Sequence, residues 1–169
     1  MTTAVVAADW IKRIADDERK RDAALVRAEE VVARKADLVR LNGRRLLDEL
    51  RGAIARDVEA FREEFAGDPS RDIVLDPTED AGGFVVRKPA SPAVTLTAAP
   101  HLETAVMDCH YRFMSTNGLP PREDRLELVF AADGAETLQI KTQRTGHVFA
   151  SADALSEYLL GPVFTGRPR

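Results

Sequence analysis

No proline interrupts this chain between its first residue and Pro69, and apolar residues recur through that stretch at helical spacing. Trp10, Ile11 and Ile14 are followed by Leu25, Val32, Val39 and Leu46; the last four are seven residues apart, with Ala28 and Ala36 partly filling the gaps. The spacing predicts one long amphipathic helix over residues 1–66, with Thr2 or Thr3 as its N-cap. A helix of roughly 60 residues is roughly 90 Å long, about three times the diameter of a small domain. The rest of the chain cannot bury that length, so most of the helix is expected to pack against itself, a second copy or a partner. Leu25, Val32, Val39 and Leu46 form the expected self-association seam. The expected assembly is a homodimer, or a protein partner held through the same helix.

From Leu47 the stripe becomes denser, through Leu50, Ile54, Val58, Phe61 and Phe65, and this face is expected to pack on a sheet. Asp16 to Asp22 contains no apolar residue and is expected to be solvated. Asn42-Gly43 leaves two readings open. Glycine costs about 1 kcal/mol relative to alanine within a helix, and Asn-Gly is a strong turn signal. Residues 4–41 and 44–66 could fold into an antiparallel helical hairpin, or the helix could continue, with the small residue permitting close approach.

Gly67-Asp68-Pro69-Ser70 ends the helical stretch, and residues 67–169 read as a mostly antiparallel meander sheet with a short C-terminal helix. The fold class is therefore expected to be α+β. Predicted strands are Ile73–Leu75, Phe84–Lys88, Val94–Thr97, Thr104–Ser115, Leu126–Ala131, Glu136–Gln143 and His147–Ala150. Proline density around Val94–Thr97 suggests edge strands. Asp133-Gly134 signals a tight hairpin, and Ser151 is expected to cap a helix over Ala152–Leu160 that Gly161-Pro162 ends.

In the longest predicted strand Met107, Cys109, Tyr111 and Phe113 alternate with Asp108, His110, Arg112 and Met114, giving one apolar and one mostly polar face. The polar side, joined by Glu127 and Lys141, is the candidate binding face: Asp108, His110, Arg112, Glu127 and Lys141. The apolar side offers a candidate ligand cavity lined by Tyr111, Phe113, Leu128, Phe130 and Ile140, for which ordinary core packing is the simpler account. Cys109 and His110 point to opposite faces of a strand and so cannot act as a nucleophile–base pair. Asp108 and His110 share a face, but two ligands do not make a metal site. No catalytic residue, metal site or cofactor is predicted, since phosphate-binding loops and nucleophile elbows are missing from the sequence.

Charge narrows the functional classes. Residues 1–66 carry 14 basic and 14 acidic side chains, and residues 67–169 carry 10 and 14, for a net charge of −4. That balance argues against general nucleic-acid binding. The cluster Arg34, Lys35, Arg40, Arg44, Arg45 and Arg51 lacks aromatic neighbours for base stacking, and a solvated helix face accounts for it. No apolar run is long enough to span a membrane, and a single cysteine gives no sign of an oxidising compartment, so a cytoplasmic location is expected. The expected function is a non-enzymatic interaction or scaffold protein that self-associates through its N-terminal helix. The alternative is a binding module for a small apolar ligand in a helix-gripping sheet.

Overall fold

The computed structural model describes residues 8–79, 81–132 and 137–169, and has the expected α+β architecture. Helix α1 runs Asp9–Glu64. It is followed by a 3-10 turn at Pro69–Arg71, strands β1 (Val74–Pro77), β2 (Phe84–Lys88), β3 (Val94–His101), β4 (Val106–Phe113), β5 (Arg122–Ala132) and β6 (Leu138–Thr142), and helix α2 (Ala152–Thr165). The six strands pair antiparallel in chain order, as an open meander. The chain divides into two compact units, Met1–Ala36 and Asp37–Arg169.

Within the second unit, a single core gathers the alternate residues of the sheet and the inner faces of both helices. Phe84, Val86, Leu96, Ala98, Met107, Leu128 and Phe130 meet Leu47, Leu50, Ile54 and Val58 of α1 and Leu155, Leu159, Leu160 and Val163 of α2. Phe61 packs half-buried against this core, whereas Phe65 stays more exposed, its ring under the Arg71 guanidinium at 4.5 Å. Polar contacts fix the two helices. The buried Ser156 hydroxyl donates to Asp57 at 2.7 Å, Arg56 donates to Asp153 at 2.8 Å, and the Phe61 and Phe164 rings stack 4.2 Å apart.

The helix continues through Asn42-Gly43 rather than turning back. Gly43 is buried, and a Cβ there would lie 2.8 Å from Leu102 Cδ2, so the missing side chain makes room for the turn between β3 and β4. Its propensity cost is repaid by that approach. The Thr2 and Thr3 caps and the Asp133-Gly134 hairpin lie outside the described residues.

Several boundaries differ from the sequence expectation, each for a physical reason. β3 is an interior strand, although Pro100 lies within it. β2 pairs only as far as Ala98, so the proline stands beyond the β2 ladder and removes no donor from it. β4 begins two residues later than predicted, because Leu102–Ala105 form the turn, and it ends at Phe113. β5 starts four residues early, at Arg122, because Arg122–Arg125 pair with His110–Phe113 despite their charge. His147–Ala150 contributes only one bridge, between Val148 and Lys141.

Helix α2 begins at the expected cap, with Ser151 Oγ accepting from Ala154 N at 3.1 Å, but it runs through Gly161-Pro162 to Thr165. Proline forfeits one backbone donor, and burial of Pro162 and Val163 in the core outweighs that loss. The left-handed cap is instead Gly166, at φ 69°, whose N–H donates to Pro162 O at 3.0 Å. A Cβ at Gly166 would clash with Pro92 Cγ, whereas one at Gly161 would meet open space. Gly161→Ala is therefore expected to stabilise the protein by up to about 1 kcal/mol. Gly166→Ala should destabilise it by about 2 kcal/mol. Urea denaturation of both variants checks the pair, and the opposite order of stabilities would move the helix end back to Gly161.

Candidate functional site

The sheet's outer face is built by register. Thr97, His110 and Arg125 lie side by side, as do Thr95, Arg112 and Glu123; Asp108 faces Glu127, and Val129 faces Lys141. The five residues of the expected polar face, Asp108, His110, Arg112, Glu127 and Lys141, thus share this surface. Asp108 directly opposite Glu127 is a like-charge pair, which is unfavourable. His101 Nε2 lies 3.4 Å from Asp108 Oδ2. The Nε2 atom of His110 is buried and has no hydrogen-bond partner, with Glu123 Oε1 at 3.7 Å. Acidic and basic side chains are mixed across this surface. Among the described residues no group of three His, Cys, Asp or Glu side chains is placed to hold a metal ion.

The inner face behaves differently. Leu128 and Phe130 are sealed in the core, while Tyr111 and Phe113 also border a groove of about 970 Å³ toward Tyr158 and Arg169. Ile140 borders a separate depression of about 200 Å³ beside Leu50. The five residues expected to line one apolar cavity are therefore divided among the core and two surface depressions. They do so because helices α1 and α2 fill the space over the middle of the sheet. The Tyr111 hydroxyl is already used, donating to Leu159 O at 2.6 Å. Burial raises its pKa, opposed by Arg169. Arg169 also stacks over the Tyr158 ring at 3.5 Å, a contact that no local sequence signal announces.

Cys109 is fully enclosed, and burial, with a smaller effect from the neighbouring Asp108, pushes its thiol up to about 12. Thiolate is the reactive form, so this is an inert core thiol.

The heptad residues separate into two groups. Leu25 and Val32 are exposed, at 62% and 68%. Val39 is 1% exposed and Leu46 is half-buried, both packed in the core of their own chain. The four residues therefore do not form one exposed seam: from Val39 onward the stripe is taken by the sheet. Trp10, Ile11, Ile14, Val26 and Val31 are exposed as well. The intervening charged stretch is held by ion pairs, Arg19 to Asp16 and Arg21 to Glu18. The basic cluster is likewise ion-paired in part, with Arg40 to Asp37, Arg44 to Asp48 and Arg45 to Glu49. Among the described residues no helix is long and apolar enough to cross a membrane.

No protein-family model, curated protein or solved structure matches this chain.

Two outcomes are expected from this geometry. Cys109 should resist a thiol reagent such as DTNB at pH 8 in the folded protein and react at once in denaturant; rapid native labelling would contradict its enclosure. Tyr111→Phe should lower stability by about 1 kcal/mol, the worth of one buried hydrogen bond, as read from chemical denaturation.

Proposed function

We propose that this chain is a non-enzymatic interaction or scaffold protein, acting in the cytoplasm, that self-associates through the N-terminal part of α1. The observation that carries this is the exposure of seven large apolar side chains, Trp10, Ile11, Ile14, Leu25, Val26, Val31 and Val32, within residues 9–36. Most helical stability in proteins comes from packing of an apolar face, and here that face is left uncovered. Exposed i,i+3 ion pairs contribute only about 0.3–0.5 kcal/mol each and do not replace that packing. A second copy is the occupant that the charge pattern favours. Residues 9–36 carry 8 basic and 7 acidic side chains, so two copies meet without net repulsion, and neither a polyanion nor a polycation is selected. The sheet's outer face would then be left for a further, charged partner.

The apolar-ligand reading has less support, because Leu128 and Phe130 are consumed by core packing and the Tyr111 hydroxyl is already bonded.

Light scattering on size-exclusion eluate tests the proposal. The wild type should run as a dimer, and Leu25→Glu combined with Val32→Glu should run as a monomer with unchanged thermal unfolding of the sheet unit. Val39→Asp is unsuitable, because it places a carboxylate in the core and should unfold the second unit whatever the oligomeric state. A wild type that stays monomeric at every concentration would overturn self-association.

A further inference from the structure

Beside the stacked Phe61 and Phe164 lies a cavity of about 470 Å³ into which three cations converge: Arg71 from the 3-10 turn, Lys88 from the end of β2, and Arg167 from beyond α2. They come from separate parts of the chain, and no carboxylate is among the described residues that line the space. Lys88 is only 3% exposed. Its Nζ donates to Pro92 O at 3.0 Å and Ala90 O at 3.4 Å, so two of its three donors are matched among the described residues. Asp68 acts electrostatically on Arg71, but it accepts from the amide and hydroxyl of Ser70 at 3.0 and 2.6 Å and does not line the cavity. Ser91 adds a hydroxyl at the wall.

A buried ammonium without a formal counter-charge is unfavourable, and carbonyl dipoles offset only part of that penalty. Burial first, and the like charge of Arg71 second, lower the Lys88 pKa. An anion in the cavity would relieve both. Guanidinium groups present planar forks that match phosphoryl oxygens two at a time, and an ammonium adds a point charge. The stacked phenylalanines supply an apolar wall, and the volume exceeds that of a bare phosphate ion. From this convergence of Arg71, Lys88 and Arg167 around one partly apolar cavity, we infer that it binds a small phosphate monoester. The phosphoryl group would lie on the three cations and the organic part against Phe61 and Phe164. The site is independent of self-association through residues 9–36.

Calorimetric titration of the full chain at constant ionic strength tests this with three probes: phenyl phosphate, inorganic phosphate and vesicles containing phosphatidic acid. Phenyl phosphate should bind, and inorganic phosphate should bind at least about fivefold more weakly, since it lacks the group that meets the rings. Lys88→Met, which keeps the volume and removes the charge, should weaken phenyl phosphate at least about tenfold. The more exposed Arg167→Gln should weaken it several-fold, and it carries the test if Lys88→Met fails to fold. Arg144→Gln, outside the cavity, should leave binding unchanged. Absence of heat with either soluble phosphate overturns the inference, as does an equal loss in Arg144→Gln, which would mean non-specific attraction. Tighter binding to vesicles than to phenyl phosphate would assign the cations to a lipid headgroup and overturn the small-molecule site.

Discussion

An open antiparallel sheet whose alternate residues are apolar has one face that must be removed from water, and here that face is covered by two helices from opposite ends of the chain. Burying a Leu, Ile or Phe side chain contributes roughly 1.5–3 kcal/mol. An exposed ion pair contributes at most about 1 kcal/mol. The covering of the sheet therefore decides where every other residue goes. It draws α1 down from Val39 to Val58, and it carries α2 past Gly161-Pro162 so that Val163 reaches the core. The polar partners Asp57 and Ser156 then lie between two helices already placed by apolar contact. What the sheet does not claim is left for other work: the outer face, the first part of α1, and the gap where helix ends and strand ends meet.

The parts of this fold legible in the sequence are those governed by short-range periodicity. Met107, Cys109, Tyr111 and Phe113 announce a half-buried strand by alternation alone, and the buried face of that strand is the face they predict. Leu47, Leu50, Ile54 and Val58 announce a helical face in the same way. Periodicity fails where a residue's role depends on what lies across from it. Arg122–Arg125 has no apolar pattern, yet it pairs along β4 because its partner strand extends that far. Val39 fits a heptad with Leu25 and Val32, but nothing in the spacing reveals where the sheet begins to cover the helix. Gly43 and Gly161 both read as breakers. One is spared by a close contact with Leu102 and the other by burial of its successors.

The candidate sites follow the same division. The outer polar face was legible because Asp108, His110 and Arg112 share one strand and Glu127 and Lys141 occupy matching positions on their own. The apolar residues of the inner face divide between the core and two surface depressions, because alternation says which face is apolar and not what fills the space above it. The cation cluster left no trace in the sequence. Arg71, Lys88 and Arg167 belong to three segments of unlike type, and only the closing of the fold brings them to one cavity.

Charge distribution separates the two kinds of recognition proposed for this molecule. Residues 9–36 are close to neutral, so the proposed association there would depend on apolar area and on register between copies, and salt should affect it little. The Lys88 cavity is the opposite case, a local positive field within residues 67–169, whose net charge is −4. At physiological ionic strength charges farther than about 8 Å are largely screened, so a ligand with one phosphoryl group senses mainly the three cations. A polyanion would extend beyond that range and meet the acidic surface around it. The arrangement thus favours an anion small enough to be enclosed, which is also the limit set by the volume of the cavity.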